Sequence, residues 1–267
     1  MTEAAAAVEK APGPAMLRLE RISKTFANGT TALAALSFAI RQGEFVSLLG
    51  PSGCGKSTVL RLIAGLIAPS GGTLRWSDDR RGDRRTLSFV FQEPTLMPWA
   101  TAFDNVIMPL KLAGMRRVEA APRVMEALAQ VGLPDSAGAY PRELSGGMRM
   151  RVSIARALVT EPTLLLMDEP FAALDEITRT RLNQDLLRLY RSRAMTIVFV
   201  THSIYESVFL SSRVMVMAPR PGRIVADIAV PFAYPRPEAL RTEAAYAGLC
   251  NRLSEALHAA MAPRDFL

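Results

Sequence analysis

Two cysteines, Cys54 and Cys250, and two histidines are all that 267 residues contain of either type. Two cysteines cannot make a disulfide framework, which fits a reducing compartment. Lysine is scarce as well. Lys10, Lys24, Lys56 and Lys111 are the only four among 32 basic residues, so the net charge of +7 is carried by arginine spread along the chain. No dense basic run is present, which favours an ordinary surface with biased arginine usage over contact with anionic lipid headgroups or nucleic acid. No window holds 18 uncharged apolar residues; even "VLRLIAGLIAP" is interrupted by Arg61, so the chain is not expected to span a membrane by itself. "MTEAAAAVEKAPGPA" lacks the basic start and long apolar core of a signal peptide, and residues 1–15 read as a flexible tail.

What is present is a globular composition. Hydrophobic residues make up 49% and charged residues 21%, which excludes disorder for most of the chain. Short alternating segments, "LRLERIS" and "LAALSFAI", flank a Gly-bearing turn and predict antiparallel strands. "EFVSLLG" predicts a buried strand leading into a glycine-rich loop and then a helix, "STVLRLIAGLI". "GGTLRW" and "RTLSFVFQ" predict further strands, and from about 95 to 160 the pattern turns helical. "TLLLMDEP" and "TIVFVTHS" read as buried parallel strands, with the amphipathic helix "TRLNQDLLRLYRS" between them. "RVMVMA" and "GRIVADIAV" read as a hairpin, and residues 251–267 as a terminal helix and tail. Together these predict an α/β core over 16–250, with an N-terminal antiparallel β subdomain and an inserted α-helical subdomain.

The stretch "GPSGCGKST" matches the G-x-x-x-x-G-K-[ST] pattern with a strand before it and a helix after it. Gly50, Pro51, Ser52, Gly53, Cys54, Gly55, Lys56, Ser57 and Thr58 form its loop. The glycines let backbone N–H groups wrap phosphates, Lys56 brings positive charge to the β- and γ-phosphates, and the Ser57 hydroxyl suits magnesium. Cys54 stands where backbone does the binding, so its thiol has no catalytic part. Asp168 and Glu169 end a buried strand at the sheet edge where open α/β folds bind ligands. One acid can hold Mg²⁺ through water, and the next can take a proton from the water attacking the γ-phosphate. That pair predicts hydrolysis of a bound nucleotide. His202, after "VFVT", and Gln92, ending "LSFVFQ", occupy further strand ends. "LSGGMRMR" then poses a question, because Ser145, Gly146 and Gly147 at a helix start make a second anion site beside the first.

In this order and spacing, "GPSGCGKST", Gln92, "LSGGM", "LLLMDEPFAALD" and "VTHS" resemble the ATPase subunits of ABC transporters, over roughly Leu17 to Leu249. The resemblance implies a P-loop ATPase core that uses ATP and Mg²⁺, the metal being served by Ser57, Gln92 and Asp168. It implies catalytic parts for Glu169, His202 and Gln92, and stacking of Phe26 on adenine. It also implies a head-to-tail homodimer in which Ser145 and Gly147 meet the partner's γ-phosphate and Asp175 communicates across the dimer. Much of the superfamily has Gln after "LSGG"; Met148 stands here, and methionine cannot supply an amide bond to the partner nucleotide. The branch resembled is that of nitrate, sulfonate and taurine importers, which implies an integral membrane permease. An extracellular or periplasmic solute-binding protein would act with it indirectly. The place implied is peripheral, on the cytoplasmic face of the inner membrane, with Leu96, Met97 and Trp99 expected to dock the permease. No nucleic acid is expected. An exporter or lipid-transport ATPase stays open within the family. A chromosome-type ATPase is disfavoured, because only 52 residues separate Gln92 from Ser145 and leave no room for a coiled coil.

Overall fold

The computed structural model describes residues 13–77, 87–193 and 195–261 and divides the chain into two compact units, Met1–Asp79 with Thr201–Leu267, and Arg80–Val200. The predicted tail over 1–15 lies mostly outside the described residues, and the first strand already begins at Ala15.

The first unit opens with β1 (Ala15–Thr25) and β2 (Thr31–Arg41), followed by β3 (Phe45–Leu49), α1 (Lys56–Ile63) and β4 (Gly71–Trp76). β1 lies between β2 and β4 in an antiparallel sheet. Buried Leu17 and Leu19 keep strict alternation, but the next buried residue is Ile22; on β2 the same three-residue step separates Leu33 from Leu36. A period-two element can make that step only through a bulge, and the register shifts between Leu19 and Ile22. Arg21 and Ala35, at φ 51° and 47°, absorb it. α1 is shorter than "STVLRLIAGLI" suggests, because Gly65 at φ 70° turns the chain out of the helix.

The second unit runs β5 (Leu87–Val90), α2 (Ala102–Leu112), α3 (Arg117–Gln130), α4 (Gly146–Leu158), β6 (Leu164–Asp168), α5 (Glu176–Ser192) and β7 (Thr196–Thr201). β5, β6 and β7 pair in parallel, with Val90 opposite Met167 and Asp168 opposite Val200. Every residue of β6 and β7 is buried, as their unbroken apolar runs require of a parallel sheet covered on both faces. α2 starts where the Thr101 hydroxyl accepts the N–H of Asp104 at 3.1 Å, and Arg117 in turn pairs with Asp104 at 2.5 Å. That guanidinium holds the Asp104 carboxyl below the usual carboxylate range.

Returning to the first unit, the chain forms α6 (Ile204–Leu210), β8 (Arg213–Ala218), β9 (Arg223–Ala229) and α7 (Ala244–Met261). β8 runs parallel to β3 and antiparallel to β9. Arg213 grips Asp227 with two parallel bonds of 2.6 and 2.5 Å across this hairpin, a bidentate geometry that also fixes register. α6 was not legible as a separate helix, and the terminal helix starts at Ala244 rather than 251.

Phe199 in the middle of β7 is fully buried, with its ring centre 5.8 Å from that of Phe171. Phe199→Ala is expected to destabilise the protein by about 3–5 kcal/mol, the usual result of opening such a cavity, as read from denaturant unfolding.

Candidate active site

In the first unit, β3 delivers the chain into the phosphate loop. Gly55 stands before α1 at φ 98°, and no side chain caps that helix. A Cβ at Gly55 would fall 2.7 Å from Leu33 Cδ2, so both the backbone angle and the space require glycine. An uncapped helix start with a bare backbone is an anion cradle. Lys56 is buried, and its Nζ donates to the carbonyls of Gly50 at 2.7 Å and Pro51 at 3.0 Å, which folds the ammonium back over the loop. Cys54 is buried and not disulfide-bonded. Its Sγ packs where a Cβ on Gly50 would be, so the thiol faces the interior. Phe26 sits in the β1–β2 turn, its N–H donating to Thr30 O at 2.9 Å, with 39% of its surface exposed. Lys24 Nζ lies 5.4 Å from its ring centre. His202 is exposed, one residue after β7.

The second unit holds the acids. Asp168 closes β6 and is buried; Glu169 follows at φ 45°. A left-handed conformation in a non-glycine residue costs about 1–3 kcal/mol and persists only where its surroundings enforce it. Here the Glu169 N–H donates to Val200 O at 3.0 Å, and its carbonyl accepts from Ala172 at 3.2 Å. Gln92 was expected to end its strand, but β5 stops at Val90 and Gln92 is an exposed loop residue two positions on. Because Val90 pairs with Met167, Gln92 and the two acids leave neighbouring strands at the same edge.

Two helix starts meet in the same unit. The Ser145 hydroxyl accepts the N–H of Met148 at 3.2 Å, and the Asp175 carboxylate accepts that of Thr178 at 2.9 Å. The second bond is the main reason the Asp175 carboxyl lies below its ordinary range. A Cβ on Gly147 would stand 2.7 Å from Thr178 Cγ2, and one on Gly146 would stand 3.8 Å from Leu174 Cδ2. Thus the "LSGG" turn and the Asp175 turn abut directly, which the sequence spacing did not reveal.

Two organisers were missed. Arg156 on α4 donates to Pro94 O at 2.9 Å and to Thr95 O at 2.9 Å, tying the signature helix to the segment after Gln92. Burial lowers its pKa. Asn105, fully buried on α2, accepts the N–H of Met97 at 2.7 Å and donates to the carbonyls of Ala100 and Thr101, each at 3.0 Å. The signal for both was a polar residue within an apolar helical stretch, "SIARAL" and "FDNVIM". Between these anchors Trp99 is 77% exposed, whereas Leu96 and Met97 are half-buried.

Residues 33–172 match the family described as ABC transporter. The chain belongs to that family. The taurine import ATP-binding protein TauB of Rhizobium johnstonii is 47% identical over 225 residues, covering 81% of this chain and 85% of that one. An aliphatic sulfonates import ATP-binding protein, SsuB 1 of Pseudomonas savastanoi pv. phaseolicola, is 44% identical over 220 residues, covering 82% and 87%. Among solved structures, the dimeric ATP-binding cassette MJ0796 in a post-hydrolysis state bound to ADP and Pi aligns with a TM-score of 0.71. It has 34% identity and covers 81% of this chain and all of that one. The protein is therefore an ABC ATPase, and the mixed α/β fold with its antiparallel sheet and helical block is the fold of that cassette.

The donor set also fits what such an ATPase uses. Gly55 and the loop around it form a cradle that a Cβ would fill, as a backbone-bound triphosphate needs. Among the described residues no three His, Cys, Asp or Glu lie together as a metal cage. A magnesium ion held mainly by phosphate oxygens and water asks for no such cage.

Gly147→Ala is expected to destabilise the protein by about 1–3 kcal/mol through overpacking, because its methyl meets Thr178 Cγ2. Thr178→Ser in the same chain removes that methyl and should restore most of the loss in thermal melts.

Proposed function

We propose that this ABC ATPase powers an importer for a small organic sulfonate or a related anion such as taurine or nitrate. Two copies pair head to tail, each phosphate loop facing the partner's signature turn. Support for the solute class comes from the taurine and sulfonate import relatives, and support for pairing from the dimeric cassette. Lys56 and the glycine-bordered start of α1 hold the β- and γ-phosphates, and Phe26 offers an exposed ring to the adenine. Ser57, Gln92 and Asp168 are the groups that would hold magnesium, which when bound neutralises charge on the phosphates. Glu169 accepts the proton of the attacking water, Gln92 orients that water, and His202 donates to the γ-phosphate. Ser145 keeps its hydroxyl proton for the partner's γ-phosphate, since its oxygen already accepts from Met148. Gly146 and Gly147 add backbone N–H groups, and Asp175 at the adjoining turn carries closure to the other site.

No helix among the described residues is long and apolar enough to cross a membrane. Transport then needs a separate permease, with this subunit docked peripherally on the cytoplasmic face of the membrane and the solute-binding protein acting from the other side. Trp99, held out by the Asn105 and Arg156 anchors, is the docking side chain. Closing the dimer on ATP and reopening it after hydrolysis gives the permease a two-state input.

The observation that carries this reading is Glu169, a carboxylate held in a left-handed turn directly after buried Asp168. Glu169→Gln keeps the shape and removes the base. ATP binding is expected to persist while hydrolysis falls by about 10²–10⁴, leaving a dimer that elutes intact in MgATP. Hydrolysis within a few-fold of wild type would mean that the water is activated elsewhere.

A further inference from the structure

His202 is presented by a helix that cannot hold itself. α6 has seven residues, well short of independent stability. At its start, the Ser203 hydroxyl accepts the N–H of Glu206 at 3.3 Å. The Thr201 hydroxyl donates to Glu206 Oε2 at 2.6 Å and accepts the N–H of Ser203 at 3.0 Å. Buried Glu206 thereby fixes the residues on both sides of His202.

At its other end the helix is held from outside. Arg236, in the segment after β9, is 5% exposed. Its Nη1 donates to the carbonyls of Val208 and Phe209, each at 2.9 Å, and of Ser211 at 2.8 Å. The Tyr234 hydroxyl donates to Leu210 O at 2.6 Å. Four consecutive carbonyls that a helix end leaves without intrahelical partners are thus all taken by two side chains. Nε and Nη2 of Arg236 donate to Phe232 O at 3.1 and 2.7 Å, and its guanidinium carbon lies 4.1 Å from the Tyr234 ring centre. From α7, the Tyr246 hydroxyl donates to Tyr205 O at 2.6 Å in the first turn of α6. Ser211, whose carbonyl Arg236 holds, is hydrogen-bonded through its hydroxyl to Ser47 of β3, the strand that runs into the phosphate loop.

We propose that Arg236 is a positioning residue for hydrolysis, locking α6 so that Thr201 and Glu206 present His202 at a fixed place relative to the phosphate loop. This rests on reading His202 as a donor to the γ-phosphate. The output of this buried guanidinium is the geometry of the helix whose carbonyls it clamps.

The test is a cycle of four full-length proteins: wild type, Arg236→Met, His202→Ala and the double variant, each measured for kcat and for MgATP affinity. Arg236→Met is expected to lose roughly tenfold in kcat while binding MgATP within about twofold, and in the His202→Ala background it should cost nothing further. A purely structural residue would act equally in both backgrounds. Wild-type kcat in Arg236→Met, or losses that multiply in the double variant, overturns the proposal alone. Wild-type kcat in His202→Ala overturns the reading of His202 and this proposal with it. Should Arg236→Met fail to fold, Arg236→Lys keeps the buried charge but, with one nitrogen in place of three, cannot hold Phe232 O and the α6 carbonyls together, and the same comparison applies. A kcat loss that disappears without His202 supports the clamp, and an unchanged kcat contradicts it.

Discussion

Binding a triphosphate through backbone amides requires helix starts that no side chain crowds, and the rest of the structure follows from that constraint. Lys56 is the one basic side chain within the phosphate loop, so most of the loop's anion-binding capacity has to come from the helix end and N–H groups. α1 meets the requirement with Gly55 against Leu33, and α4 meets it with Gly147 against Thr178. At each place the neighbouring atom comes so close that a methyl group could not be added without displacement. At both places packing against a neighbouring side chain fixes the position as glycine.

The same logic extends to the strand ends. β6 and β7 are buried along their whole length, so their ends are rigid mounts, and Asp168 and Glu169 occupy one such end. Glu169 is held in a backbone conformation that it would not choose, by bonds to Val200 and Ala172. His202 lacks a long buried strand or helix of its own after β7 and depends on the short α6. The Arg236 clamp on that helix ties the segment after β9 to the residue proposed to meet the γ-phosphate.

Much of this was legible in the sequence. The phosphate loop, the acid pair and the "LSGG" helix start are local patterns in which neighbouring residues cooperate, and alternation or unbroken apolar runs place their strands. Strand bulges were visible only indirectly, in the three-residue steps Leu19 to Ile22 and Leu33 to Leu36. What the sequence concealed depends on long-range partners. Arg156 reaches Pro94, Arg236 reaches Val208, and Thr178 meets Gly147 across 28 to 62 positions, and no local periodicity records such pairs. α6 was missed for the same reason, since its seven residues are helical through outside bonds more than through their own pattern.

The central claim is that the signature turn serves the partner's nucleotide, and mixing two disabled chains tests it directly. Ser145→Arg fills the signature turn, and Lys56→Ala cripples the phosphate loop; each homodimer is then defective at both sites. In a head-to-tail mixed dimer both defects fall in one site, and the other combines a wild-type loop with a wild-type signature. The mixture should therefore bind ATP at one site per dimer and regain hydrolysis that neither homodimer has. If every signature served its own chain, all sites in the mixture would carry a defect, and mixing would restore nothing.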